Sequence, residues 1–134
     1  MAFDWAEYLS LAEQLSRSND ESSQRTAISR AYYFAFHAAR DRASANNYRR
    51  SEEETTHNSL WTHYERNNNA DCRRIAFLGK RLHTRRVRAD YKENYDRIAE
   101  DMVQVLIEAR RCAQIIKDLP LQYPEIPPPR TYSV

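Results

Sequence analysis

Arg86 and Asp90 stand four residues apart, a spacing that on a helix brings a guanidinium and a carboxylate onto one face, beside an apolar stripe. His83 falls on the same arc. Two readings fit this group: a partly buried ion pair internal to the helix, or a site made of Arg86, His83 and Asp90. A second constellation is Arg30, Tyr33 and His37, whose offsets of 0, 3 and 7 put them on a shared helical face. A third is cationic: Arg74, Arg81, Arg85, Arg88 and Lys92 fall within about 60° of one another on a helical wheel. They extend over 18 residues, or about 27 Å of helix, long enough to follow several phosphates of a nucleic-acid strand. A basic stripe is also what a solvated face looks like. Solvated faces, however, usually mix signs, and few acids occur here at i±4.

These residues depend on helices for their placement. The chain has one glycine, and all five of its prolines follow residue 119, so the first 118 residues carry almost no turn chemistry. Asp4 and Glu7 have capping-box spacing, and Trp5, Tyr8, Leu9, Ala12 and Leu15 keep helical period to about Arg17. Asn19 or Asp20 can cap a second helix running to about Ala45. Its core face is Ile28, Tyr32, Ala35, Phe36, Ala39 and Ala43, with Ala27, Ala31 and Ala38 as a small-residue flank. Few charges interrupt its middle, so it is covered nearly all round, either at the centre of a bundle or between the bundle and a second subunit. A polar stretch to Glu54 is the longest internal loop and is expected to be mobile. His57, Leu60, Trp61 and Tyr64 define a third helix, which Asn67-Asn68-Asn69 breaks. Asp71 can cap a fourth, running to about Tyr91, whose apolar arc holds Ile75, Leu78, Gly79, Leu82 and Ala89 beside Arg86 and Asp90. Ile98, Met102, Val105, Ala109, Cys112 and Ile116 align on a fifth that Pro120 stops. The expected fold is all-α: an antiparallel helical bundle of about five helices over residues 1–118, then a proline-rich tail, 119–134. The PEIPPPR composition of that tail favours extended polyproline conformation over packing, a disordered end unless a partner docks on it.

Composition narrows the function. At 134 residues the chain can bury one core without a metal or disulfide staple. Cys72 and Cys112 stand far apart with no metal-ligand spacing, which points to a reducing compartment and to no bound metal or other cofactor. No apolar run approaches the roughly 20 residues that span a bilayer, and the N-terminus lacks a basic stretch followed by an apolar run, so a cytoplasmic protein without membrane contact is expected. Net charge is only +2, but from Arg73 to Lys92 eight Lys/Arg stand against one acid, Asp90. Acidic stretches such as Glu52-Glu53-Glu54 balance that excess elsewhere.

Two segments, SRAYYFAFHAAR (Ser29 to Arg40) and LGKRLHTRRVRADY (Leu78 to Tyr91), resemble the HEPN superfamily. The likeness is closest to small stand-alone prokaryotic members whose second helix reads S-R-A-Y-Y-x-A-F-H-A-A-R and whose fourth ends R-x-x-A-D-Y, and it covers about residues 4 to 118. The resemblance implies a helical bundle that commonly dimerises and, in many members, a metal-independent ribonuclease, the toxin or defence component of an operon shared with a nucleotidyltransferase. In those nucleases an Arg of the fourth helix is followed, after four to six residues, by a His, and two subunits bring two such motifs to one cleft. The Arg carries over to Arg86. Where the His is expected stands Tyr91, with four residues between and Asp90 beside it, and no histidine follows. Arg86 can still stabilise phosphoryl charge, whereas a phenol is a poor general base at pH 7. His37 or His83 could in principle substitute, though His37 belongs to the helix-two motif, where packing or hydrogen bonding is expected of it. Two functions follow: an RNA-binding or ribonuclease-like protein using Arg86, Asp90 and Tyr91 with the basic stripe, or a catalytically silent adaptor that binds a protein partner through a homodimer surface.

Overall fold

A computed structural model describes residues 2–49 and 56–127. It contains five helices: α1 (Ala6–Leu15), α2 (Glu21–Ala45), α3 (Thr56–Glu65), α4 (Ala70–Tyr91) and α5 (Ile98–Asp118). The expected loop around Glu52-Glu53-Glu54 lies outside the described residues. Side-chain caps set two of the helix starts. Asp20 accepts from Ser22 N at 3.1 Å, and Asn69 accepts from Cys72 N at 2.9 Å. Asn69 therefore caps α4 in place of Asp71, which sits in the first turn, where its charge favours the helix dipole.

Helix α2 is the centre of the bundle, packing on all four other helices. Four helices of the same chain therefore cover most of α2, while Arg30 and Tyr33 stay only half-buried. Pairing of side chains fixes the directions. Tyr8 lies under Arg30 and Trp5 on His37, so α1 runs antiparallel to α2. Arg25 reaches the end of α4 and Ser29 reaches Asp90, so α4 is antiparallel too. Arg85 meets Asp101 and Arg81 meets Glu108, which makes α4 and α5 antiparallel neighbours. Burying Ile28, Tyr32, Ala35 and Phe36 of α2 with Trp61, Ile75, Leu82, Val105 and Cys112 gives one continuous core.

Gly79 is required by a close approach. A Cβ built there would fall 2.3 Å from Trp61 Cε3, inside the ring's van der Waals envelope. Trp61 is fully buried and its Nε1 donates to Tyr32 Oη at 3.2 Å, so the ring is not free to retreat. Replacing a helical glycine by alanine ordinarily gains about 1 kcal/mol. Here overpacking outweighs that gain, and Gly79→Ala is expected to destabilise by about 2 kcal/mol net. A thermal melt in which Gly79→Ala raises Tm would show that α3 can shift away from α4.

The segment after α5 corrects the expectation of a free tail, as far as Pro127. Leu119 and Pro124 are buried. Arg42 donates to the carbonyls of Leu119 and Tyr123, and Asn46 Nδ2 donates to Tyr123 O at 2.9 Å. Asn67 accepts from Glu125 N at 2.8 Å and donates to Glu125 O, reading the backbone of that residue with both ends of its amide. Polyproline-favouring residues thus dock where side-chain amides and a guanidinium satisfy their carbonyls. The remainder of PEIPPPR, from residue 128 on, lies outside the described residues.

Candidate functional site

The two motif groups found in the sequence meet in space. Arg30, Tyr33 and His37 of α2, Arg86 and Asp90 of α4, and Tyr8 of α1 surround an open cleft of about 440 Å³. Antiparallel packing of α2 on α4 puts Ser29 Oγ 3.2 Å from Asp90 Oδ2, and this contact sets the register of the two walls. The ion pair expected from spacing is present, with Arg86 Nε 2.8 Å from Asp90 Oδ2 and the arginine side chain 14% exposed. The Nε–H is not aligned for a hydrogen bond, however, and no other acceptor meets it among the described residues. Arg86 is held instead by aromatic faces: its Cζ lies 5.0 Å from the Tyr33 ring centroid and 5.7 Å from that of Tyr91. Tyr91 itself is 70% exposed and, although its ring meets Arg86, it is not among the residues that line the cleft.

Arg30 is the second cation of the cleft. Its Cζ lies 4.7 Å from the Tyr8 ring centroid, and among the described residues it forms no ion pair. His37 is packed flat on Trp5, with ring centroids 3.4 Å apart and planes 3° from parallel. Burial, and then the positive charge of Arg40, pushes this imidazole down to about 4, so it is neutral at pH 7. Its Nδ1 is buried without a partner. The packing role expected of His37 is the one the structure gives it, and the ring also forms part of the cleft wall.

The basic stripe needs correction. Arg81 Nε donates to Glu108 Oε1 at 2.7 Å, and Arg85 joins Asp101 Oδ1 at 2.9 Å to Glu108 Oε2 at 3.1 Å. Arg74 pairs with Asp71 at 3.4 Å, and Arg88 lies over the Tyr95 ring. Arg81 and Arg85 therefore join α4 to α5 and do not form part of an open cationic surface. Counting acids at i±4 within α4 missed them because the neutralising carboxylates belong to another helix. Lys92 contributes chiefly through its backbone: its carbonyl accepts from Arg25 Nη1 at 2.6 Å, beside that of Ala89 at 2.9 Å. These bonds supply an acceptor-satisfying cap at the end of α4, next to Asp90.

Sequence reasoning passed over one residue near this site. In the sequence His57 occupies the first position of an apolar face, yet it stacks on His83, with ring centroids 4.9 Å apart and planes 12° from parallel. It also lies 5.9 Å from Tyr33, whose ring Arg86 covers. Burial, then His83 and Arg86, holds His57 down to about 4; burial and Arg86 lower His83 as well. No group of three or more possible metal ligands occurs among the described residues, and no helix is long and apolar enough to cross a membrane. Chemically the cleft offers two guanidiniums, the hydroxyls of Tyr8, Ser29 and Tyr33 and the neutral imidazole of His37 against a single carboxylate, an arrangement suited to an oxyanion. Set against models of protein families, curated proteins and solved structures, the chain matches none.

Proposed function

We propose that the chain is a HEPN-like RNA-binding protein whose cleft between α1, α2 and α4 holds a phosphodiester, with any strand cleavage slow. The observation that carries this is the convergence of Arg30 and Arg86, from two different sequence motifs, on one polar cleft. Arg86 supplies a guanidinium fork to phosphoryl oxygens and Arg30 a second one across the cleft. Asp90 orients Arg86 from behind, and the exposed Tyr91 beside Arg86 offers a face on which a base can stack. Slow cleavage follows from the acid–base groups: His37 is a weak base with one nitrogen buried, and a carboxylate tied to Arg86 and Ser29 is poorly placed to move a proton. Homodimerisation and a nucleotidyltransferase partner belong to the same proposal and rest on the resemblance alone.

Binding of a fluorescent single-stranded RNA, followed by anisotropy in EDTA, tests the reading. Arg30→Ala and Arg86→Ala should each weaken binding roughly tenfold or more without unfolding the bundle. The logarithm of affinity should fall with the logarithm of salt at about −0.7 per neutralised phosphate. Because Arg81 and Arg85 are already neutralised, the slope should correspond to only a few phosphates. Salt-independent binding, or affinity indifferent to both substitutions, would leave the adaptor reading in its place; the pairing of the stripe with α5 is what favours that second reading.

A further inference from the structure

The face that α2 turns toward the cleft does not end at His37. Arg40 and Ser44 continue the spacing of Arg30, Tyr33 and His37, at offsets of 10 and 14 from Arg30, and so share their side of the helix. Both residues line a second cleft, of about 480 Å³, together with Thr56 of α3 and with Tyr48 and Arg49 just past the end of α2. The two clefts share a wall. Phe36, which lines the second, packs against Tyr33 and His37, which line the first, with ring centroids 6.2 and 5.3 Å away. Arg40 Cζ lies 5.8 Å from the Phe36 ring centroid, close enough to His37 that its charge adds to burial in lowering that imidazole.

The cations of this second cleft are uncommitted. Among the described residues neither Arg40 nor Arg49 forms an ion pair, whereas Arg81 and Arg85 are neutralised by α5. Arg49 Nη1 donates to the neighbouring carbonyl of Tyr48 at 2.9 Å, which leaves its charge uncompensated. Asp41, the acid next to Arg40, is exposed and lines neither cleft. The combined lining therefore sets four guanidiniums, those of Arg30, Arg40, Arg49 and Arg86, against the carboxylate of Asp90 alone. A row of like charges of this kind produces a positive potential that a polyanion running past it relieves.

We infer that the two clefts form one track for the backbone of a single-stranded RNA, Arg86 and Arg30 holding one phosphate and Arg40 and Arg49 another further along the strand. The inference rests on the phosphodiester reading of the first cleft and specifies its ligand: an oligonucleotide rather than a mononucleotide or dinucleotide. Arg30 and Arg40 are about 15 Å apart along α2, at 1.5 Å per residue. A stacked strand advances about 3.4 Å per phosphate, so about four nucleotides are needed to engage both pairs. The shared wall is aromatic and carries no carboxylate, so the intervening phosphates meet no opposing charge there. Contacts confined to phosphates position a strand without reading its sequence.

Anisotropy of labelled oligouridylates two and eight residues long, in EDTA with the full chain, tests the track. Arg40→Ala combined with Arg49→Ala should weaken the eight-residue strand roughly tenfold or more and leave the two-residue strand unchanged. The salt slope for the longer strand should shrink by about 0.7 for the phosphate released. Thermal melts of this variant should match those of the unsubstituted protein, since neither guanidinium is paired within the fold. The pair Arg40→Gln and Arg49→Gln, which keeps most of the side-chain bulk, should reproduce both losses. Unchanged affinity and slope for the longer strand in both variants, with Arg86→Ala weakening both lengths, overturns the track alone. Equal losses at both lengths also overturn it, because the second cleft would then not extend the first. An octaglutamate peptide bound as tightly as the longer strand would give these arginines to an acidic protein partner and overturn the track as an RNA site. A chain that binds neither strand overturns the phosphodiester reading and the track with it.

Discussion

Replacing Glu108 by alanine should destabilise the protein by about 3 kcal/mol, because the substitution strands a guanidinium that the fold has already removed from water. The Glu108 side chain is 7% exposed and that of Arg85 15% exposed, so neither charge is well hydrated and each relies on the other. Arg85 would keep Asp101, whose second oxygen takes the Tyr95 hydroxyl, but would lose the bond from Nη1. Arg81, with 41% exposure, can rehydrate and contributes little to the loss. Glu108→Gln retains an acceptor for Arg85 and should fall between the two. Equilibrium urea unfolding measures all three proteins. A Glu108→Ala midpoint within the range of a surface ion pair, under about 1 kcal/mol, would mean that α4 and α5 are held by apolar contacts alone.

Acid should destabilise the bundle as the pH falls below about 6.5. His37 and His57 are both pushed from the ordinary histidine value of 6.5 down to about 4, and burial lowers His63 and His83 in the same direction. In the unfolded chain these imidazoles take up protons as the pH falls through 6.5, while the folded chain does not. Between about pH 6.5 and pH 4 the unfolded state is therefore the better proton binder, and stability falls by up to roughly 1.4 kcal/mol per pH unit for each such histidine. Above pH 6.5 both states carry neutral rings and the effect vanishes. Below about pH 4 the folded rings protonate as well, and this contribution levels off. Taken over His37 and His57, the loss approaches several kcal/mol, a large part of the stability of a domain this size. Urea midpoints recorded from pH 7.5 to 4.5 should drop steeply below pH 6.5; a flat profile to pH 5 would mean that these rings are hydrated and titrate normally.

Residues that report on their own helix were legible in the sequence. Scarcity of glycine and proline over the first 118 residues, together with the 3.6-residue period of Ile28 to Ala43 and Ile98 to Ile116, is enough to place the helices, because burial of one face is a property that each helix displays alone. The Arg86–Asp90 pair was visible for the same reason: both partners sit one turn apart. What a helix face meets is a property of two segments, and periodicity carries no information about it. Glu108 and Asp101 read as ordinary polar positions of the fifth helix until they are seen opposite Arg81 and Arg85. Likewise Asn67 reads as a helix breaker, and its amide turns out to hold Glu125. His57 was hidden by a different ambiguity, since a histidine at an apolar spacing is indistinguishable from a core residue until its two nitrogens are assigned separate surroundings.

The Arg25 cap at the end of α4 makes the cleft late to assemble. The last two turns of α4 hold Arg86 and Asp90, and the carbonyls at its end, those of Ala89, Lys92 and Glu93, are satisfied by a side chain 64 to 68 residues earlier in the chain. Such a bond forms only after a long loop has been closed, an entropic cost that local contacts do not carry. During folding the last turn of α4 therefore frays until α2 has docked, and the paired Arg86 and Asp90 become ordered in the same step. Order in the cleft is thus coupled to completion of the bundle, so a partly folded chain presents none of the cleft's geometry.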